Sequence, residues 1–346
     1  MKSEEYIFKS IIDRKYYITC GYARNCLFLL LKALGIGPGD EVIVPAYTCL
    51  SIPKTIKEVG ATPVFVDCDY NSVNMSVDIM KDKITQHTKL IYVIHTYGVS
   101  SEISKICAIA KSKKIYVAED ISHSYYVEYQ NRRLGTFGDF AIISFTKLFL
   151  NYQGALIATN KYSIYKRMLN LKSLYKKNNK WLKYLPLYII RFIGSYFERD
   201  GAIVTLFIFR ILYLILKVKK NYRDISGDLD YNFFYMGRGA LFLTKLGIKR
   251  NNKNNHLLLY RKFKQSKIAN LPTILNEQTL SVPFHMGGFV RRKAGLHIVF
   301  SLSTWSNIHK LGEYPQADIA YANFRIFSKI YIKIYSLGRK IFHLNN

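Results

Sequence analysis

Acidic residues are scarce in this chain of 346 residues: 23 Asp and Glu stand against 51 Lys and Arg, giving a formal net charge of +28. Cysteines are also few. Cys20, Cys26, Cys49, Cys68 and Cys107 are odd in number, confined to the first third, and show no CxxC or Cys/His ligand spacing. That excludes a disulfide scaffold and gives no zinc signature, so they read as reduced, cytosolic thiols. The N-terminal MKSEEYIFKSIIDRKYY carries early acids and lacks the apolar run, about 7–15 residues long, of a secretory signal, so export is not expected. No internal repeat or low-complexity tract is present. What is there in quantity is apolar surface: 49% of residues are hydrophobic and 15% aromatic, with only 21% charged. Such a chain buries enough to offset its ordering entropy, and general disorder is excluded.

An excess of positive charge reports on partners and not on fold. Nucleic acid, anionic lipid and phosphorylated small molecules are the three classes it admits. No nucleic-acid recognition motif accompanies the charge, and the most basic segment is interleaved with long apolar runs, so nucleic acid is not expected. In residues 151–225, 15 Lys and Arg face three acids, a net +12. Within it, residues 202–216 are apolar all round except Arg210 and then meet Lys217, Lys219 and Lys220. As a helix this stretch would cover about 22 Å, short of a bilayer's roughly 30 Å core, so it is not expected to span. Two readings stay open: a helix packed on the rest of the protein or a partner subunit, and an interfacial helix on anionic lipid.

The first 160 residues alternate helix and strand patterns. Apolar helix formers run over residues 25–34, and Gly35-Ile36-Gly37-Pro38-Gly39-Asp40 stops that helix with turn chemistry. Short β-branched runs at residues 41–45, 63–67, 90–95, 115–120 and 140–145 read as strands, with helices at 52–59 and 102–110 between them. Continuous apolar strands spaced by helices predict an α/β fold with a mostly parallel sheet flanked by helices. At roughly 100–200 residues per domain the length suggests two domains. We expect a large domain over 1–240, with a basic, apolar helical insertion at about 161–225, and a smaller α+β domain over 241–346.

Ligands of such sheets bind beyond the carboxyl ends of the strands. The residues there are Tyr47, Thr48, Cys49, Asp67, the His95-Thr96-Tyr97-Gly98 turn, Glu119, Asp120, His123, Thr146 and Lys147. Taken singly, each could be a loop polar residue or a helix cap; together they form a candidate site. For His95 a structural role is favoured, since no chemistry demands it. A lysine, an aspartate and a helix start near Ala23-Arg24-Asn25 suit pyridoxal phosphate, which needs an amine, a carboxylate for its pyridine nitrogen and donors for its phosphate.

At LKALGIGPGDEVIVPAYTC, GATPVFVDCD, IYVIHTYG, VAEDISHSYY and LGTFGDFAIISFTK the sequence resembles the DegT/StrS-type sugar aminotransferase family. The resemblance covers about residues 20–160. It implies the aspartate-aminotransferase fold, the PLP-dependent transferase fold type I, and a homodimer with active sites at the subunit interface. By this resemblance Lys147 matches the cofactor-binding catalytic lysine, and Asp120 the carboxylate on the pyridine nitrogen. His123 matches a residue near the ring's phenolic oxygen, and Ser144 a serine near the phosphate. Ala23, Arg24 and Asn25 occupy the position where many members have Gly-Thr-Ala, with Arg24 replacing a small hydroxyl residue by a cation. Cys49 stands where many members place a stacking aromatic, a role that would pass to Tyr47 or another ring. Asn232 resembles an asparagine reaching the partner subunit's cofactor.

The implied activity is transfer of an amino group, with glutamate as donor, to a keto-sugar carried by a nucleotide, for a surface polysaccharide of the O-antigen or capsule kind. A related branch dehydrates sugars with histidine in place of the lysine, and Lys147 argues against that branch. The alternative is a catalytically lapsed member acting as a binding or scaffolding protein, which the unusual Arg24 and Cys49 motivate. The expected location is cytoplasmic, with peripheral contact at the inner, anionic face of the membrane for the 161–225 insertion.

Overall fold

The computed structural model describes residues 8–49, 51–69, 74–96, 99–124, 127–148, 153–175, 235–237, 239–242, 244 and 245. The expected small C-terminal domain, apart from residues 241, 242, 244 and 245, the apolar stretch at 202–216 and Asn232 lie outside the described residues.

Seven strands form one sheet: β1 (Tyr16–Cys20), β2 (Glu41–Pro45), β3 (Thr62–Val66), β4 (Thr88–Ile94), β5 (Tyr116–Asp120), β8 (Phe140–Ser144) and β9 (Ala155–Thr159). Their order is β1-β9-β8-β5-β4-β2-β3. Pairing is parallel from β3 through β2, β4 and β5 to β8, while β9 runs antiparallel to both β8 and β1. A mostly parallel sheet follows, as expected, and its central strands are largely apolar because both faces are covered. A small antiparallel hairpin, β6 (Glu128–Tyr129) with β7 (Arg132–Arg133), stands apart from it.

The helices divide between the faces according to the direction of the crossover. From β1 to β2 and from β2 to β3 the chain moves one way across the sheet, and α1 (Ala23–Leu34) and α2 (Ser51–Glu58) cover one face. From β3 to β4 and from β4 to β5 it moves back, and α3 (Val77–Asp82) and α4 (Ile103–Ser112) cover the other. Right-handed connections in opposite directions must land on opposite faces. Alternation along each strand serves both: Tyr92, Ile94 and Ala118 belong to the core under α1, whereas Ile91, Val93 and Val117 belong to the core under α4.

Helix α1 ends in the glycine turn read from the sequence. Gly35 adopts φ 75°, a left-handed conformation that favours glycine, and its amide meets the carbonyls of Leu31 and Lys32. A four-residue turn of helix, α5 (Phe145–Leu148), follows β8 directly.

Helix α6 (Tyr162–Ser173) falls where the sequence predicts the start of a basic insertion. Ile164 and Met168 join the core under α1, and Tyr16 stacks on Tyr165 at 4.9 Å. The Lys172 side chain is buried, donates to the Thr19 carbonyl, and lies 4.7 Å from the Tyr235 ring centroid. Residues 162–173 are thus part of the large domain's own framework. Their charge is compatible with that packing, because a lysine stem can cover apolar surface while its ammonium finds a carbonyl. Among the described residues no helix is long and apolar enough to cross a membrane.

Candidate functional site

The carboxyl ends of β2, β4, β5 and β8 open on one edge of the sheet. Strand β1 runs in the same sense as β8, because both pair antiparallel with β9. The N-terminus of α1, which follows β1 after two residues, therefore lies at that same edge. Alternation puts Asp120 and Ser144 on the face that carries α1, since Ala118, Phe140 and Ile142 pack there. The sequence-predicted residues Ala23, Arg24, Asn25, Cys49, Asp120, His123 and Ser144 are thus gathered at one edge, and the backbone of Lys147 lies there too, in α5.

Asp120 is held from two sides. The Tyr92 hydroxyl donates to its Oδ2 at 2.8 Å, and the Ser122 amide donates to its Oδ1 at 2.9 Å. Tyr92 sits in the middle of β4 and is fully buried; burial, then the nearby Asp120 charge, pushes its phenol well above the ordinary value. Ser122 also fixes the neighbouring strand end, accepting from the Ser144 amide at 3.0 Å, while Ser144 Oγ lies 2.9 Å from Thr146 Oγ1. His123 is buried beside them.

Around this carboxylate the polar groups are incompletely met. Arg24 Nε, Asn25 Oδ1, Thr48 Oγ1 and Thr96 Oγ1 are buried and have no hydrogen-bond partner. Buried polar atoms without partners are uncommon in native proteins, and four at one sheet edge mark a place where a ligand supplies the missing bonds. The start of α1 adds to this, for its N-cap Tyr22 makes no side-chain cap and no acid occupies the first turn. Its first amides and positive dipole end suit an anion. The Arg24 guanidinium rests over the Tyr22 ring, 4.6 Å from its centroid. Half-buried Cys49 places its Sγ 3.3 Å from Ser51 Oγ. Tyr47, one candidate for the stacking ring, is buried and packs with the hydrophobic core on the α1 side.

On the opposite face Glu119 is completely satisfied. Its Oε1 accepts from the amides of Phe137 and Gly138 at 2.8 and 2.7 Å, and its Oε2 from Gly135 N at 2.8 Å and His95 Nε2 at 3.2 Å. The Ser101 amide donates to His95 Nδ1 at 3.1 Å, so Nε2 carries the proton. Arg14 closes the cluster, donating to the carbonyls of Gly135 and Gly138 at 2.7 Å each. Burial alone would raise the Glu119 carboxyl; His95 and the Gly138 and Gly135 amides outweigh it and hold it below the ordinary value. Gly138 is required here, since a Cβ would come within 2.8 Å of the Val117 carbonyl oxygen. His95 and Glu119 are therefore structural. Among the described residues no group of His, Cys, Asp and Glu could hold a metal.

Thr48 and Thr96 were visible in the sequence only as strand-end residues. Tyr92 carried a usable signal, a lone phenol among the aliphatic residues of Leu90–Ile94, whose hydroxyl needs a buried partner.

A family model described as the DegT/DnrJ/EryC1/StrS aminotransferase family matches residues 3–194. The chain belongs to that family. It is 39% identical over 160 residues to GDP-perosamine synthase of Escherichia coli O157:H7, covering 46% of this chain and 44% of the relative. To dTDP-3-amino-3,6-dideoxy-alpha-D-galactopyranose transaminase of Aneurinibacillus thermoaerophilus it is 34% identical over 206 residues, covering 56% and 57%. The chain thus matches over about half the length of these curated relatives. Among solved structures, aminotransferase TlmJ of Streptoalloteichus hindustanus shares the fold, with a TM-score of 0.60 at 19% identity over 82% of this chain and 68% of that one.

The residues at the edge fit pyridoxal phosphate, the cofactor this family implies. The orphaned Arg24 Nε and the uncapped start of α1 suit its phosphate, Asp120 its pyridine nitrogen, and the unmet hydroxyls of Thr48 and Thr96 its polar substituents or those of a substrate.

Proposed function

We propose that this protein is a pyridoxal-phosphate-dependent aminotransferase acting on a keto-sugar attached to a nucleotide, with glutamate as amino donor. The observation that carries the reading is the buried Asp120 carboxylate, braced by Tyr92 and Ser122, at a sheet edge where four buried polar atoms lack partners. The family supports the reaction class, and the nucleotide-linked sugars named for the relatives support the substrate class.

When bound, pyridoxal phosphate supplies an electron sink for the bond-breaking at the donor's alpha carbon. Asp120 keeps a proton on the pyridine nitrogen, which the sink requires. The Lys147 amine holds the cofactor at rest and then carries a proton from the donor's alpha carbon, acting as base and afterwards as acid. Arg24, with Ala23 and Asn25 at the α1 N-terminus and Ser144 beside them, binds the phosphate. His123 would orient the ring, and Cys49 would pack against it. In a homodimer, Asn232 would reach the cofactor of the partner subunit, as the family resemblance implies. The product serves a surface polysaccharide, and the basic charge favours anionic substrates and contact with the inner face of the membrane.

The test is the visible absorbance of the purified protein with pyridoxal phosphate, before and after borohydride reduction, beside Lys147→Ala. A band absent from the variant, a reduced adduct on Lys147 and conversion of glutamate to its keto acid are expected. No band in the wild-type protein would overturn the proposal. A band without turnover of glutamate and sugar would favour a lapsed member that binds only.

A further inference from the structure

We infer that Tyr92 is a positioning residue, which acts on the cofactor's ring nitrogen through Asp120 without touching the cofactor itself. The inference rests on the proposed function and adds to it a second contributor to the chemistry of the ring.

Three observations carry it. First, the Tyr92 hydroxyl donates to Asp120 Oδ2 at 2.8 Å, while Oδ1 is engaged by the Ser122 amide at 2.9 Å. A carboxylate held on both oxygens cannot rotate about its final torsion, so its remaining lone pairs keep one direction. Second, the brace is rigid and dry: Tyr92 is 0% exposed and Asp120 5% exposed. Strand pairing fixes the register as well, for Ile94 lies opposite Asp120, and the His95 amide meets the Asp120 carbonyl at 3.2 Å. Third, the phenol stays protonated over the working pH range, because burial and the adjacent carboxylate both resist its ionisation. Tyr92 is therefore a permanent donor and never a competing base.

The consequence is chemical as well as geometric. A carboxylate held by two donors keeps its remaining lone pairs aimed one way, and an aimed carboxylate is the partner that holds a proton on a pyridine nitrogen. Without the phenol, Asp120 loses a donor and gains a rotational freedom. Both changes weaken its hold on the ring nitrogen and leave the phosphate contacts alone.

The experiment compares two cofactors on the full-length protein: pyridoxal phosphate, and its deaza analogue, in which a CH replaces the ring nitrogen. Tyr92→Phe removes one oxygen and keeps the ring in the core. Its affinity for pyridoxal phosphate, read by absorbance titration, is expected to fall roughly tenfold, the scale of a hydrogen bond to a charged group. Affinity for the deaza analogue is expected to stay at the wild-type value. The pH midpoint of the visible band should also move in the variant. Tyr92→Met, which also lacks the hydroxyl and adapts to irregular space, provides a second donor-free variant and should give the same discrimination. Equal affinity of wild type and variants for pyridoxal phosphate would overturn the inference. So would equal weakening for both cofactors, the mark of a packing role. Failure of the wild-type protein to form the Lys147-dependent band would overturn the proposed function instead.

Discussion

Adjacent residues of β5 end in opposite circumstances. Glu119 faces the α4 side and has five donors around it, from Gly135, Phe137, Gly138, His95 and, at 4.0 Å, Arg14. Asp120 faces the α1 side, has two donors, and shares its edge with Arg24, Asn25, Thr48 and Thr96, each with a buried atom unmet. Both carboxylates are buried and both close a strand, so burial does not tell them apart. Saturation does. A cluster whose polar groups satisfy one another has nothing left to bind and serves the fold. One left short of partners is completed only by something the chain does not contain.

The largest effects should split cleanly between the two carboxylates. Asp120→Asn is expected to lower the rate of the glutamate half-reaction by roughly 10²–10⁴-fold, the range of a positioned acid–base contribution, with little change in melting temperature. Glu119→Gln should do the reverse, costing about 3–5 kcal/mol of stability because Arg14 is left with less compensation. Denaturant titration beside single-turnover kinetics measures both. The comparison breaks if the Glu119 variant keeps its stability, or if the Asp120 variant unfolds.

A second effect follows from pH. The folded Glu119 carboxyl lies below the ordinary value of 4.5 for a glutamate. The unfolded chain therefore binds that proton first as pH falls, and the stability from this group is present above about 4.5 and lost toward the lower folded value. Urea midpoints measured from pH 6 to pH 3 should drop through this window, and the drop should be shallower in Glu119→Gln.

The smallest expected effects sharpen the comparison from the other side. Thr48→Val and Thr96→Val remove hydroxyls that have no partner, at nearly constant shape, so each should leave stability unchanged or raise it by about 1 kcal/mol. The same changes should weaken binding of cofactor or nucleotide-sugar. A stabilised but weakly binding pair of variants, found by thermal melts and titration, is the signature of residues retained for a ligand.

Much of the fold was legible from local pattern. The runs that became β2, β3, β4, β5 and β8 are short, β-branched and bounded by turns or helices, and the Gly35 stop of α1 is written in its turn chemistry. Strands β1 and β9 were not. ALIAT is poor in β-branched residues, and YYITC carries strand formers but sits directly after the charged Asp13-Arg14-Lys15; they take their places in the sheet by pairing with each other and, through β9, with β8. Helix α6 opens the stretch expected to be basic and helical, and what only the fold supplies is the Thr19 carbonyl and the Tyr235 ring around its Lys172.

The site divides in the same way. That Asp120, Ser144 and Lys147 end or follow strands of one parallel sheet could be read from the sequence, because parallel strands present their carboxyl ends together. That Glu119 and Asp120 point apart follows from the period of two. Which of the two would be filled by the protein and which left for a ligand was decided by the tertiary structure alone. Arg14, His95 and the Gly135–Gly138 turn come from distant parts of the chain to one face, and α1 brings Arg24 and Asn25 to the other. Hydrogen-bond saturation depends on which segments the crossovers deliver to each face, and no local pattern carries that information.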